Sequence, residues 1–133
     1  MREVKFRGLD MFTNKWVYGL PYREGAEGEW LNIQMENGIS VIVDDESIGE
    51  FAFKLKLLDG ETELFEGDVI ENIVGNKKYV IEWDADYGTF FFVELDGKSE
   101  GTVAFEFIEN CEHENCYLFG NITENPELLE GGN

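Results

Sequence analysis

The feature that most constrains this chain is a two-residue alternation of apolar and polar side chains that recurs along most of its length. Successive side chains of a strand point to opposite faces, so this period gives each segment one face for a core and one for water. Phe51, Phe53, Leu55 and Leu57 alternate with Ala52, Lys54 and Lys56. Val4, Phe6 and Gly8 alternate with Glu3, Lys5 and Arg7. Gly, Asn and Asp punctuate these runs, as turns between strands require. Trp30-Leu31-Asn32-Ile33 and Ile39-Ser40-Val41-Ile42-Val43 flank Glu36-Asn37-Gly38. Asn-Gly between two such runs is a strong hairpin signal, because both residues tolerate positive φ.

The rest of the chain reads the same way. Asp10 to Asn14 is expected to be a connection. Trp16 and Tyr18 open a run that Gly19-Leu20-Pro21 should stop, with residues 22–29 as a loop. Residues 69–74 follow Gly67-Asp68 as a strand. Residues 79–83 and 89–95 form a pair around the turn Asp84-Ala85-Asp86-Tyr87-Gly88, and Asp96-Gly97 closes it. Residues 98–102 read as a loop, Val103, Phe105 and Phe107 as an alternating strand, and residues 117–122 as the last apolar run. No stretch carries a helical stripe, and the one helical signal is a turn after Asn125-Pro126, with Pro at its first position. About ten short strands with regular turns imply an all-β chain, a sandwich or a barrel. The expected division is an N-terminal β lobe at 1–50 and a barrel-like C-terminal lobe at 51–133, or one continuous domain.

Charge narrows the partners. The chain carries 29 acids against 10 bases, a net charge of −19. Too few cations remain to neutralise phosphates, so nucleic acid and anionic lipid are both disfavoured. The acids are scattered, which favours solubility through self-repulsion. A basic protein partner, or imitation of DNA, is the sharper alternative. Aromatic residues make up 14% of the sequence, enough to build a core and to set the chain apart from disordered ones. No apolar run is long enough to span a membrane, and no signal-peptide core follows the N-terminus. The expected location is the cytoplasm, where both cysteines stay reduced.

Four groups of residues invite a chemical reading. Cys111, His113 and Cys116, with Glu112 and Glu114 between them, supply three soft donors for a tetrahedral metal. No second Cys/His pair completes the set, and a polar turn with Cys116 packed as a small hydrophobe is the simpler reading. Asp84 and Asp86 open like a calcium loop, but Gly88 and the Phe run that follows leave no further ligands. Asp44 and Asp45 are paired carboxylates with no sign of the apolar pocket that acid–base catalysis needs. Trp16, Tyr18, Trp30, Trp83 and residues 90–92 offer rings for base stacking, yet the basic groove that accompanies stacking is missing, so most of them read as core. No nucleophile motif and no phosphate-binding glycine loop is present.

Three blocks resemble a known family. Met1-Arg2-Glu3-Val4-Lys5-Phe6-Arg7-Gly8-Leu9-Asp10 is similar to its N-terminal signature. Ser47-Ile48-Gly49-Glu50-Phe51, then Leu57-Leu58-Asp59-Gly60 and Leu64-Phe65-Glu66-Gly67-Asp68-Val69-Ile70, resemble its central motif. Phe119-Gly120-Asn121-Ile122-Thr123-Glu124-Asn125-Pro126-Glu127-Leu128-Leu129 resembles its C-terminal signature. The family is YopX, of phage and prophage proteins. This sequence lacks the Thr-Gly of the family's central stretch, where Lys54-Leu55-Lys56 stands instead. The resemblance implies an all-β fold with a complex C-terminal barrel, a phage or prophage setting, and self-association. It implies no reaction, no cofactor and no catalytic residue.

Read from the residues themselves, these motifs are structural. Gly67 should take positive φ in a turn that feeds a strand. Gly120 should mark a bulge or a close backbone approach. The leading expectation is a non-enzymatic, self-associating phage accessory protein. An acidic decoy for a basic host protein comes second, and a metal-dependent enzyme built on Cys111, His113 and Cys116 third.

Overall fold

Alternation becomes structure in the computed structural model, which describes residues 5–95 and 101–129. Eleven strands and one short α-helix are present among the described residues, and the strands form antiparallel sheets. The chain divides into two compact units, Met1–Phe51 and Ala52–Asn133. Val4, Asp96 and Gly97 lie outside the described residues, as do residues 98–100 of the expected loop.

The N-terminal unit holds β1 (Phe6–Leu9), β2 (Trp16–Glu24), β3 (Trp30–Gln34), β4 (Ser40–Ile42) and the start of β5 (Gly49–Leu57). Its strand order is β4-β3-β2-β1-β5. β2 runs straight through Gly19-Leu20-Pro21 to Glu24, so residues 22–24 belong to a strand and not to the expected loop. The strand changes neighbours at that point. β1 pairs with residues 16–19 on one edge, and β3 pairs with residues 20–24 on the other. Pro21 lies beyond the β1 ladder, on a half-free edge where a residue without an N–H is tolerated. Gly19 has no room for a side chain, because a Cβ there would run into the Gln34 carbonyl.

One face of this sheet carries the unit's core. Leu31, Ile33 and Val43 are buried there, with Val17, Met35, Val41 and Ile48 against them. The expected hairpin at Asn37-Gly38 is present, with Gly38 at φ 87° and its N–H donating to the Met35 carbonyl at 2.9 Å. A 3-10 turn at Asp45–Ser47 then leads into β5. Ser47 is buried and its Oγ does double duty, accepting from the Leu9 N–H at 2.8 Å and donating to the Asp44 carbonyl at 2.6 Å.

The C-terminal unit begins with the rest of β5, paired with β6 (Gly60–Phe65), a strand that sequence reading passed over. β7 (Asp68–Asn72), β8 (Lys77–Asp84), β9 (Thr89–Glu94), β10 (Thr102–Val103) and β11 (Cys116–Asn121) form a five-stranded sheet, order β10-β9-β8-β7-β11. β7 stops at Asn72, leaving Ile73 and Val74 exposed in a turn, and Thr102 belongs to β10 and not to a loop. The main core lies on one face of this sheet. Leu57 and Leu64 meet Ile70, Tyr79, Ile81, Phe90, Phe92, Phe107 and Cys116 there. Phe92 stacks on Phe107 with ring centroids 4.2 Å apart. On the other face Val69 and Val80 pack under Leu128 and Ile122.

Residues 104–109 correct the sequence reading. They form the helix α1 (Ala104–Glu109), and the alternation of Val103, Phe105 and Phe107 does not continue as a strand. Ala104 and Phe107, three apart, point into the core, while Phe105 is 72% exposed. A 3-10 turn at Pro126–Leu129 stands where Asn125-Pro126 predicts a helical turn.

Candidate functional site

The cysteine loop joins α1 to β11 and is a 3-10 turn at Glu112–Asn115. Its donors diverge. Cys111 is exposed in left-handed backbone at φ 59°, whereas Cys116 is fully buried. The Cys116 thiol donates to the Glu112 carbonyl at 3.3 Å. Burial, and then the nearby Glu112 charge, push it up to about 11, so it stays protonated at neutral pH. His113 Nδ1 is buried without a hydrogen-bond partner. Among the described residues no three His, Cys, Asp or Glu side chains gather closely enough to hold a metal ion.

The Asp84–Asp86 turn is equally self-contained. Asp84 Oδ1 accepts from the N–H groups of Asp86 at 2.9 Å and Tyr87 at 3.1 Å. The Gly88 N–H closes the turn on the Asp84 carbonyl at 2.8 Å. Its carboxylate is committed to local backbone, as the charged-turn reading predicts.

The remaining two candidates come together. The β3–β4 register pairs Asn32 with Ile42, and the Val43 N–H donates to the Leu31 carbonyl at 2.9 Å. Trp30 and Asp44 flank this last contact in the chain, and both line one groove. Met11, Glu29, Trp30, Leu31, Ile42, Val43, Asp44 and Asp45 line a groove of about 260 Å³ at this end of the sheet. Leu31 and Val43 are buried, while Trp30 and Met11 are about half exposed.

Three carboxylates mark this groove, two oriented by a local backbone N–H and one by an arginine. Asp44 Oδ1 accepts from the Glu46 N–H at 3.0 Å, and Glu29 Oε2 accepts from the Glu27 N–H at 2.9 Å. Asp45 Oδ2 lies 3.1 Å from an Arg23 guanidinium nitrogen, and the same side chain donates to the Gly28 carbonyl at 3.2 Å. A carboxylate has about four acceptor positions, so one local bond leaves capacity for a ligand.

The groove opens beside a solvent-facing sheet surface. Tyr18, Leu20 and Tyr22 alternate along β2 and share one face, and cross-strand pairing of Glu24 with Trp30 puts the indole on it too. All four are exposed large hydrophobic side chains. Trp16 lies on this face at its β1 side, with the Arg7 guanidinium stacked 4.3 Å from the ring centroid. In the C-terminal unit Trp83 packs edge to face on buried Phe90 at 5.0 Å while staying as exposed as Tyr22. Sequence reading named Trp30 and the Asp44–Asp45 pair separately. It missed Met11, Glu29, Leu20 and Tyr22, although the Tyr18-Leu20-Tyr22 alternation was present as a signal.

A second cleft, of about 280 Å³, lies in the C-terminal unit. It is lined by Lys77, Tyr79, Phe92, Glu94, Gly101, Thr102 and Glu112. Lys77 Nζ and Glu94 Oε1 stand 3.8 Å apart, so part of its charge is met internally.

The signature blocks build turns. Gly67 has φ 93°, and buried Asp68 accepts from the Phe65 N–H at 2.8 Å, closing the β6–β7 connection. β11 shifts register between Leu118 and Gly120, a bulge where a Cβ on Gly120 would meet Asn125 Oδ1 at 2.5 Å. Asn121 Oδ1 accepts from the Glu124 N–H at 2.8 Å, and its amide donates to Glu124 Oε1 at 2.9 Å. Compared with family models, the chain matches the one described as YopX protein over residues 5–130. The chain belongs to the YopX family. In this YopX family member the Glu-Gly-Asp and Gly-Asn-Ile…Glu-Asn-Pro stretches thus close local turns. No curated protein matches the chain.

Proposed function

We propose that this YopX family member is a non-enzymatic accessory protein of phage or prophage, and that it works by binding a protein through the aromatic sheet face of its N-terminal unit. The observation that carries this reading is the row Tyr18, Leu20 and Tyr22 with Trp30 beside it, all exposed on one face. Exposed aromatic rings clustered beside a groove characterise interaction surfaces, since they combine large apolar area with few rotatable bonds. Its acid-rimmed groove favours a basic partner over a second acidic copy. Among the described edge strands β4 and β10 are short and β11 is bulged, features that blunt edge-to-edge pairing, and six-residue β6 is the regular edge that remains. Self-association is therefore the second reading, and it would use the same apolar face.

The test is affinity purification of the tagged chain from the cells that make it. Retained protein should be lost from a Leu20→Ser/Tyr22→Ser variant and kept by Phe105→Ser, which removes an exposed ring elsewhere. Sedimentation separates a foreign partner from a second copy. Equal retention by both variants would overturn the proposal.

A further inference from the structure

We infer that the Trp30 groove is the receptor for a lysine or arginine side chain within a basic, partly apolar segment of that partner. The inference rests on the binding role proposed for the N-terminal face and names the chemistry of what docks there. Three features of one groove converge on a long cationic side chain. The Leu31, Ile42 and Val43 lining accepts a methylene stem. The exposed Trp30 indole offers a π face, the best of the aromatic side chains for a cation. Glu29, Asp44 and Asp45 supply anionic acceptors, and Asp45 already takes one guanidinium, that of Arg23. A neutral or acidic ligand would leave these carboxylates facing apolar or like-charged groups, which costs binding energy. The net charge of −19 acts in the same direction at long range, drawing basic segments to the surface before they dock.

The occupant is a protein segment and not nucleic acid, whose phosphates the same carboxylates repel. It also differs from a second copy of this chain, which brings acids to acids.

The experiment uses the full chain, isotopically labelled, titrated with a synthetic peptide of alternating arginine and leucine. Chemical-shift changes should gather at Met11, Glu29, Trp30, Asp44 and Asp45. The same peptide with glutamate for arginine should not bind. Asp44→Asn/Asp45→Asn keeps the side-chain shape and, at position 44, an amide oxygen that still caps the turn; it should weaken binding roughly tenfold. Trp30→Ala should weaken it by a further factor of roughly two to five. Glu106→Gln/Glu109→Gln removes the same charge from α1 and should leave affinity within about twofold of the parent chain.

Equal weakening by the two charge-removing pairs would reduce the effect to net charge and overturn the groove. Spermidine giving the same shifts at equal affinity would overturn a peptide as occupant. The two proposals fail separately. Partner capture that needs Leu20 and Tyr22, with a peptide indifferent to Asp44, Asp45 and Trp30, keeps the face and removes the basic occupant. A groove that binds the peptide, with capture indifferent to Leu20 and Tyr22, does the opposite.

Discussion

Glu71 stands in the middle of a row that crosses three strands. The registers set it beside Lys78 on β8 and Tyr117 on β11. The Tyr117 hydroxyl donates to Glu71 Oε1, and Lys78 Nζ lies 3.3 Å from Oε2. The tyrosine hydrogen bond holds the Glu71 carboxyl below the usual carboxylate range, burial opposes it, and Lys78 adds to the lowering. A lowered folded-state value means stability that is present above the ordinary carboxylate range and lost as pH falls through the folded value. Tyr117→Phe should raise the Glu71 value, followed by carboxyl carbon NMR. The variant should be less stable at neutral pH and lose less on acidification. An unmoved Glu71 titration would contradict this.

Cys116 has the opposite sign. Its folded value, raised to about 11 from the ordinary 9.0, gives stability that is full below 9.0 and lost as pH rises toward about 11. Iodoacetamide at neutral pH should label Cys111 and spare Cys116, read by peptide mass spectrometry; faster labelling of Cys116 would contradict its burial. The positive φ of Gly38 and Gly67 was legible in the sequence, because turn chemistry is local. The Glu71 row was not, because its members come from three strands whose alignment no local pattern encodes.

Elements show where local pattern is ambiguous. In residues 103–108 the apolar positions fit two periods at once. Val103, Phe105 and Phe107 suit a strand, while Ala104, Phe107 and Ile108 suit one side of a helix. So short a segment takes its conformation from its surroundings, and the core accepts Ala104 and Phe107 together. The two readings separate by mutation. Phe107→Ala should cost about 3–5 kcal/mol in denaturant unfolding, and Phe105→Ser within about 0.5 kcal/mol. Similar losses at both positions would restore the strand. The β3–β4 hairpin carries a related lesson. Its existence was legible from Asn37-Gly38, but its register was not. The Met35 N–H donates to the Ile39 carbonyl at 2.9 Å, so Glu36, Asn37 and Gly38 form a three-residue loop. A two-residue loop would slip the pairing by one and turn the β4 side chains to the other face. The candidate site therefore depends on a single residue of loop length, and β2 had to be read past Pro21 before Leu20 and Tyr22 could share its face.

At the scale of the whole chain, family membership and physical reading assign different work to different residues. The stretches that resemble YopX signatures close turns in the C-terminal unit and, in the N-terminal one, place Ser47 in the 3-10 turn that leads to Gly49 at the start of β5. The exposed rings and the acid-rimmed groove lie mainly in β2, β3 and the turn after β4, apart from those central and C-terminal blocks. On the proposed reading, binding specificity can change there without disturbing the turns of the central and C-terminal blocks, as expected when function sits on a scaffold. The most direct test is photo-crosslinking in the cells that make the protein, with p-benzoylphenylalanine in place of Tyr22 or of Phe105. A crosslinked species should form from position 22 and not from position 105, and it should disappear when Asp44→Asn/Asp45→Asn is added. Crosslinking from position 105 alone would move the binding surface to the other unit and contradict the account.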